Sequence, residues 1–600
     1  MIRVADYIME RLAQFGVKDI FMITGGGAMH LNDAAGRRLQ YFCNHHEQAS
    51  AIAAEGYARV SGKPAVVLVT TGPGGLNTLT GVMGQWTDSV PVIYISGQVK
   101  FETTIRSCPE LGLRQLGDQE VNIVEIVRPL TKFATCVIDP NQIRTALEQA
   151  WYAATTGRPG PVWLDIPMDV QGALVNLGTL TGYIPEEGTI YDAETAAAAV
   201  PKVLNLLEKA QRPVVVAGHG VRISGAQEIF LDVAQLLHIP ILTTFNGFDL
   251  VPSDNPLYVG RIGTIGDRAG NFALQNADVI FYLGTRNNIR QVSYGWGSVG
   301  RAAIKIVVDI DAAELVKPTL AADLKIHTDV KFLLERLRAE LMRNKPKVRS
   351  EWLAKCLDWK ERFPVVLAAE KYPLTPVHPY LFAKILSEEL GENAVVVTSN
   401  ATANIVYFQG GFVKRGQRAI WNSGCASMGY DIPAAIGACL ANQRQPVVCL
   451  AGDGSIMMNL QELSTIVYYR LPIAIFVFNN FGYVSIRQTQ SNFFGKLHGC
   501  DEATGVGFPD IPALATAFGM KTARIEENLG MREKIRGVLA TGGPVLCEIV
   551  LNPDHAIEPK LSSVRLPDGR MISKPLEDMS PLLDREEFKK NMIVAPQTDG

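Results

Sequence analysis

The residues best placed by type and spacing to do chemistry together are Gly452-Asp453-Gly454-Ser455 and, one helix and one strand later, Asn479-Asn480. Asp453 follows the apolar run Val447–Leu450, and Asn480 follows the apolar run Ile473–Phe478. If these runs are neighbouring parallel strands, the carboxylate and the amide converge on the carboxyl edge of one sheet. Open α/β sheets bind their ligands there. A carboxylate, an amide oxygen and the oxygens of a diphosphate suit Mg2+, a hard cation that takes oxygen ligands. The Gly482 carbonyl completes the protein's share. Gly452 and Gly454 let the backbone approach a ligand closely. Met458–Tyr469 is predicted as a helix whose first turn offers free amides to phosphate. The spacing is not that of a P-loop. Each motif alone is equally an ordinary turn, so the pairing carries the reading.

Other residues have chemical and structural readings side by side. Glu47 follows an apolar stretch and opens the small-residue helix predicted over Ala49–Val60. Burial there would disfavour the charged carboxylate, but a helix N-terminal acid is an equally ordinary role. Gly25 lies in the sharp turn Thr24-Gly25-Gly26-Gly27 after the predicted strand Ile20–Ile23. Met428, in Gly424–Tyr430, reads on composition as core filler. Gln119 reads as a surface polar residue. Arg290, in Gly284-Thr285-Arg286-Asn287-Asn288-Ile289-Arg290, can clasp an anion or form an interdomain ion pair. Arg487 and Gln490 either line a substrate site or form one polar helix face.

These residues need a scaffold, and the pattern of apolar runs supplies one. Strands without clean alternation, separated by helices, predict an α/β fold with parallel sheets covered on both faces. Three such regions are expected, at 1–172, 190–340 and 375–560, with a tail, 561–600, as a lid or subunit clamp. No Gly-x-Gly-x-x-Gly with a downstream ribose acid follows a strand of the first region, which argues against a dinucleotide site there. The net charge of −3 points to neither nucleic acid nor an anionic membrane as partner. Nine scattered cysteines without a CxxC pair suit a reducing compartment. The charged amphipathic start is wrong for a signal peptide and no run is long and apolar enough to span a membrane, so the cytoplasm is expected.

Gly452–Ser455 followed by Asn479-Asn480 resembles the thiamine-diphosphate motif. His46-Glu47-Gln48, Ala54–Arg59 and Gly62–Asn77 are similar to the pyrimidine-binding domain of the acetohydroxyacid synthase branch. Gly157–Val162, Leu164–Pro167 and Pro575–Met579 resemble that branch too, and the similarity runs from Val4 to about Leu582. The resemblance implies pyrimidine-binding, central and diphosphate-binding domains. It implies metal ligation by Asp453, Asn480 and the Gly482 carbonyl. It adds Gly25, Gly452, Gly454, Ser455 and Arg286 to the cofactor contacts. Glu47 would exchange a proton with the aminopyrimidine ring. The Ala426 carbonyl would receive the ring's amino group, and Met428 would hold the cofactor bent. Gln119 and Arg290 would meet substrate. FAD is implied in the central domain, on Gly263–Gly266 and Gly284–Arg286. Sites shared between chains imply a homodimer or homotetramer.

The implied reaction is decarboxylation of a 2-oxo acid such as pyruvate, with transfer of the acyl unit to a ketone or aldehyde. The sequence departs from acetolactate-forming enzymes near the acceptor. Asp118 replaces an aromatic residue, Met168 a lysine and Ile289 an aspartate. The Phe481–Gln490 segment is of another type, like that of synthase-like enzymes acting on nucleotide-linked ketosugars. Acetolactate synthesis and simple decarboxylation are the alternatives. An inactive cofactor-binding subunit is a further alternative, against which Glu47, Asp453 and Asn480 argue.

Overall fold

The structure, a computed structural model, describes residues 1–185, 193–344, 346–565 and 570–597. The expected start of the second region, at 190, lies outside the described residues. Among those described, three six-stranded sheets form the framework, every pairing within them parallel. Runs such as Ala65–Val69 and Val395–Thr398 are buried at every position. Burial on both faces removes the alternation that a half-exposed strand shows.

The first sheet contains Asp19–Met22, Gln40–Cys43, Ala65–Val69, Val92–Gln98, Phe133–Cys136 and Val162–Pro167. The third contains Val395–Thr398, Arg418–Ile420, Val447–Gly452, Ile473–Asn479, Lys521–Ile525 and Val545–Val550. With strands numbered along the chain within each sheet, both run 2-1-3-4-6-5. The middle sheet, built from Pro213–Ala217, Ile241–Thr243, Tyr258–Arg261, Val279–Leu283, Ile304–Asp309 and Leu324–His327, runs 3-2-1-4-5-6. That is the order of dinucleotide-binding folds, reached here without the glycine fingerprint.

The helix Glu47–Ser61 of the first region packs on the helix Asp431–Ala441 of the third. Alanine and glycine dominate the contact because the backbones nearly touch. A Cβ on Gly56 would collide with the Ala434 carbonyl, and one on Gly437 with the Ala53 carbonyl. Buried Glu462 adds a second tie, accepting from Asn44 Nδ2 (2.8 Å) and the His45 amide (2.8 Å).

One expectation is corrected. Met458–Tyr469 is not one helix; Asp453–Ile456 and Glu462–Tyr468 are separate. Asn459 interrupts them, its Nδ2 bonding the Gly429 carbonyl (2.7 Å). The described part of the tail lies against the middle domain. Leu576 and Met579 are fully buried, Gln275 Nε2 donates to Glu577 (2.6 Å) and Trp359 Nε1 to Asn591 (2.9 Å).

A histidine pair lies at the carboxyl edge of the third sheet, beside the Val377–Leu551 bridge. His378 and His555 have ring centroids 4.5 Å apart, with Tyr372 4.0 Å from His378. Burial pushes both rings down to about 4. The unfolded chain takes up these protons near 6.5, so the pair's contribution to stability is complete above that pH and is lost as pH falls toward 4. Allowing for partial solvent screening, the loss is on the order of 2 kcal/mol, or roughly 4–8 °C in the melting of one domain. Combining His378→Gln with His555→Gln should shrink the drop in melting temperature between pH 7 and pH 4.5. An unchanged drop in the double variant would show that other groups cause it.

Candidate active site

The third sheet builds the densest cluster. Gly452 pairs with Phe478 across neighbouring strands, so Asp453 and Asn480 emerge side by side at the carboxyl edge. Asp453 Oδ1 accepts from the Gly454 amide (2.7 Å), and Oδ2 from those of Asn480 (3.1 Å) and Gly482 (3.0 Å). Burial nevertheless pushes this carboxyl up to about 6. The Asn480 Oδ1 is buried with no hydrogen-bond partner. An orphaned buried oxygen is costly. A divalent cation between the two side chains would satisfy that oxygen and neutralise the carboxylate, so these residues fit one. Gly482 lies at φ +140° with a Cβ excluded by the Cys500 carbonyl, so only glycine suits this turn. Its carbonyl accepts from the Val484 amide (3.2 Å) and keeps a second lone pair.

Above this edge lies the Gly424–Tyr430 loop. Ser455 Oγ accepts from the Gly429 amide (2.8 Å), which ties the loop to the Asp453 turn. Ala426 takes φ +53°, with its amide bonded to the Asn422 carbonyl (2.7 Å). A Cβ on Gly454 would sit 3.2 Å from Met428 Cε and would collide with the Tyr483 ring. The structure thus brings together Ala426, Met428, Gly452, Asp453, Gly454, Ser455, Asn480 and Gly482.

The first sheet presents a separate edge. Glu47 is half-buried at the first position of its helix, its Oε2 accepting from Asn77 Nδ2 (2.9 Å). Exposed Gln119 takes φ +61°, and its carbonyl occupies the space a Cβ on Gly72 would need. A Cβ on Gly25 would lie 2.5 Å from Thr70. Among the described residues, Glu47 has no hydrogen bond or ion pair with the Asp453 cluster. A bond from Asn459 Nδ2 to Gln48 Oε1 (3.4 Å) links the two edges.

Arg286 and Arg290 belong to the middle domain. Arg286 reaches Asp88 Oδ1 of the first domain (3.3 Å). Arg290 is half-buried over the Phe245 ring (5.2 Å to the centroid), and desolvation alone lowers its pKa, with no acid against it. Neither helix-face residue considered for the acceptor is free for that role. Arg487 donates to the carbonyls of Asn480 (2.8 Å), Phe481 (3.0 Å) and Pro553 (2.7 Å), clamping the turn beside Asp453. Gln490 closes its own loop onto the His498 amide (2.7 Å) and carbonyl (3.0 Å).

Sequence reasoning missed Asn77, Tyr483 and the pair Ser399 and Asp431. Ser399 and Asp431 are buried against each other, and Asp431 also faces Ser455 of the Gly452–Ser455 turn. The signal for them was the polar run Thr398-Ser399-Asn400 at the end of an apolar strand, the same signal that marked Asp453.

Comparison with known proteins assigns all three domains to one family. Residues 2–124 match the thiamine pyrophosphate enzyme N-terminal TPP binding domain, 200–337 the central domain, and 404–549 the C-terminal TPP binding domain. The chain is 33% identical over 598 residues to a probable acetolactate synthase large subunit of Methanocaldococcus jannaschii, covering 97% of each chain. It is 32% identical to acetolactate synthase 1, chloroplastic, of Zea mays, covering 93% of this chain and 87% of that one. The Lactococcus lactis acetolactate synthase large subunit is 30% identical, over 93% and 94%. With three parallel sheets, two of them sharing one strand order, and matches to all three domains, the chain belongs to the thiamine pyrophosphate enzymes and is a thiamine-diphosphate-dependent enzyme of the acetolactate synthase-like branch.

Proposed function

We propose that the protein decarboxylates a 2-oxo acid, pyruvate by preference, and joins the acyl unit to a ketone or aldehyde, with Mg2+ anchoring the cofactor diphosphate. The observation that carries the site is the buried Asp453 carboxylate beside the orphaned Asn480 Oδ1. When bound, thiamine diphosphate supplies a carbon nucleophile and an electron sink for loss of carbon dioxide. Asp453, Asn480 and the Gly482 carbonyl hold the metal, and the Gly452–Ser455 turn receives the diphosphate. Met428 would support the bound cofactor from below, and the Ala426 carbonyl would accept from its amino group. Glu47 holds and returns the proton at the aminopyrimidine nitrogen.

The two carboxyl edges make one site when the Glu47 edge of one copy faces the Asp453 edge of another. Exposed apolar side chains beside both edges support a homodimer: Met29, Leu76 and Met83 near the first, Met457 and Met458 near the third.

Gln119 and Arg290 are the residues offered to substrate. Acidic Asp118 and apolar Met168 make a poor pocket for a second keto-acid carboxylate, which favours an uncharged carbonyl group on the acceptor, a nucleotide-linked ketosugar included. The half-buried, acid-free Arg290 favours the second reading, an acetolactate synthase joining two 2-oxo acids. Mass analysis of products from labelled pyruvate, with keto acids, aldehydes and nucleotide-linked ketosugars as acceptors, separates them. A branched product with a ketone or aldehyde, at least tenfold faster than acetolactate from pyruvate alone, is expected. Efficient acetolactate formation establishes the second reading, and acetaldehyde as the main product rejects carboligation.

A further inference from the structure

Gln40–Cys43, the strand that leads toward Glu47, is an edge strand of the first sheet. Backbone donors on an edge need acceptors from outside the sheet. The Cys43 amide finds Tyr469 Oη of the third domain (2.9 Å). The next two residues turn the same way. Asn44 Nδ2 donates to Glu462 Oε2 and the His45 amide to Glu462 Oε1 (2.8 Å each). Gln48 Oε1 then accepts from Asn459 Nδ2 (3.4 Å). All of these partners come from the stretch 459–469, which follows the Gly452–Ser455 turn.

Glu462 is the centre of this contact. It is fully buried, and its two oxygens take three donors, because Thr465 Oγ1 also donates to Oε2 (2.7 Å). A carboxylate only accepts and suits three donors, whereas an amide side chain offers one oxygen and two donors. Asn44 is buried too and passes the constraint onward. Its Oδ1 accepts from Ser50 Oγ (3.1 Å), one turn into the helix that Glu47 opens. His46 Nδ1 caps that helix by accepting from the Gln48 amide (3.1 Å). Glu47 therefore leaves a turn that is fixed on both sides.

The Glu47 carboxyl itself is held lightly. Among the described residues it has one hydrogen bond, from exposed Asn77 (2.9 Å). Its aim is set chiefly by the backbone that carries it, and that backbone is fastened by the third domain rather than by its own. Proton transfer needs the two heavy atoms within hydrogen-bond reach. A displacement of about 1 Å from a change away from the chemistry can cost on the order of 100-fold in rate. The buried ties at Asn44 and His45 are thus placed to govern a proton transfer that Glu462 does not touch.

We propose that Glu462 is a positioning residue for Glu47, holding the Asn44–His45 turn so that the Glu47 carboxyl meets the aminopyrimidine nitrogen; this rests on the proton role proposed for Glu47. Glu462→Gln keeps the side chain's shape but turns a donor toward Asn44 or the His45 amide. Hydrogen–deuterium exchange of the ligand-free protein, read over residues 43–50, is expected to speed up about tenfold. Mg2+-dependent affinity for thiamine diphosphate should stay within about threefold of the parent, and exchange of the bound cofactor's thiazolium C2 proton should slow about tenfold. Adding Glu462→Gln to Glu47→Gln should cause no further loss, because one residue acts through the other. Asn44→Ala removes the same bond from its other end, should reproduce the pattern, and carries the test if Glu462→Gln does not fold. Parent-like C2 exchange in the folded variants, beside a Glu47→Gln protein that has lost it, overturns the proposal. So does unchanged deuterium uptake over 43–50, cofactor affinity lost in step with exchange, or a further loss of about tenfold in the double variant. Parent-like C2 exchange in Glu47→Gln rejects the role of Glu47 itself, and the positioning role with it.

Discussion

A Glu47→Gln protein is expected to bind thiamine diphosphate within about threefold of the parent and to lose exchange of the thiazolium C2 proton by a factor of roughly 10²–10³. The reasoning starts from shape. Glutamine keeps the length of the side chain and can still accept from Asn77 Nδ2, so the helix start is undisturbed. What it lacks is an exchangeable proton, and a positioned carboxyl contributes about that factor through proton transfer. Proton exchange followed by NMR after acid quenching reads the step directly, and carboligation should fall in parallel. Exchange within fivefold of the parent would remove Glu47 from the proposed mechanism and leave it a helix-start acid.

The second large effect is on metal and cofactor together. Asp453→Asn should reduce Mg2+-dependent thiamine diphosphate affinity by at least 100-fold. The buried carboxylate is the one charged protein ligand proposed for the cation, and an amide is a far weaker partner for a hard divalent ion. Asn480→Ala should act in the same direction, because it removes the orphaned oxygen. Fluorescence titration with the cofactor, at fixed and then varied Mg2+, measures both. Circular dichroism melting of the ligand-free variants shows whether the Gly454, Asn480 and Gly482 amides still hold the turn. Cofactor binding in folded Asp453→Asn that remains both tight and metal-dependent would place the cation elsewhere.

The carboxyl-edge residues were readable in the sequence for a physical reason. A strand buried on both faces is a run of apolar residues, and the first glycine, aspartate or asparagine after it marks the sheet's edge. That logic located Asp453 and Asn480 on neighbouring strands, and the register of Gly452 against Phe478 shows why they meet. It failed where partners are distant in the chain. Spacing put Arg487 and Gln490 on a polar helix face, but only the folded chain shows their donors spent on the backbone carbonyls of Asn480, Phe481 and His498. The helix expected over Met458–Tyr469 has suitable periodicity, yet Asn459 is drawn to the Gly429 carbonyl and splits it. The middle sheet's strand order was invisible for a related reason: which strands neighbour which is a non-local property, and its first turn reads Gly218-His219-Gly220 rather than the dinucleotide fingerprint. The tail gave no periodic pattern, and its docking depends on Asn271, Gln275 and Asn276, some 300 residues away.

The interlocked glycines Gly56 and Gly437 carry a consequence for how the enzyme breathes. Because those two helices meet backbone to backbone, sliding or hinging one against the other would drive main-chain atoms into each other. The first and third domains therefore travel as a single rigid block. Turnover should then proceed without a large-scale opening between these two domains.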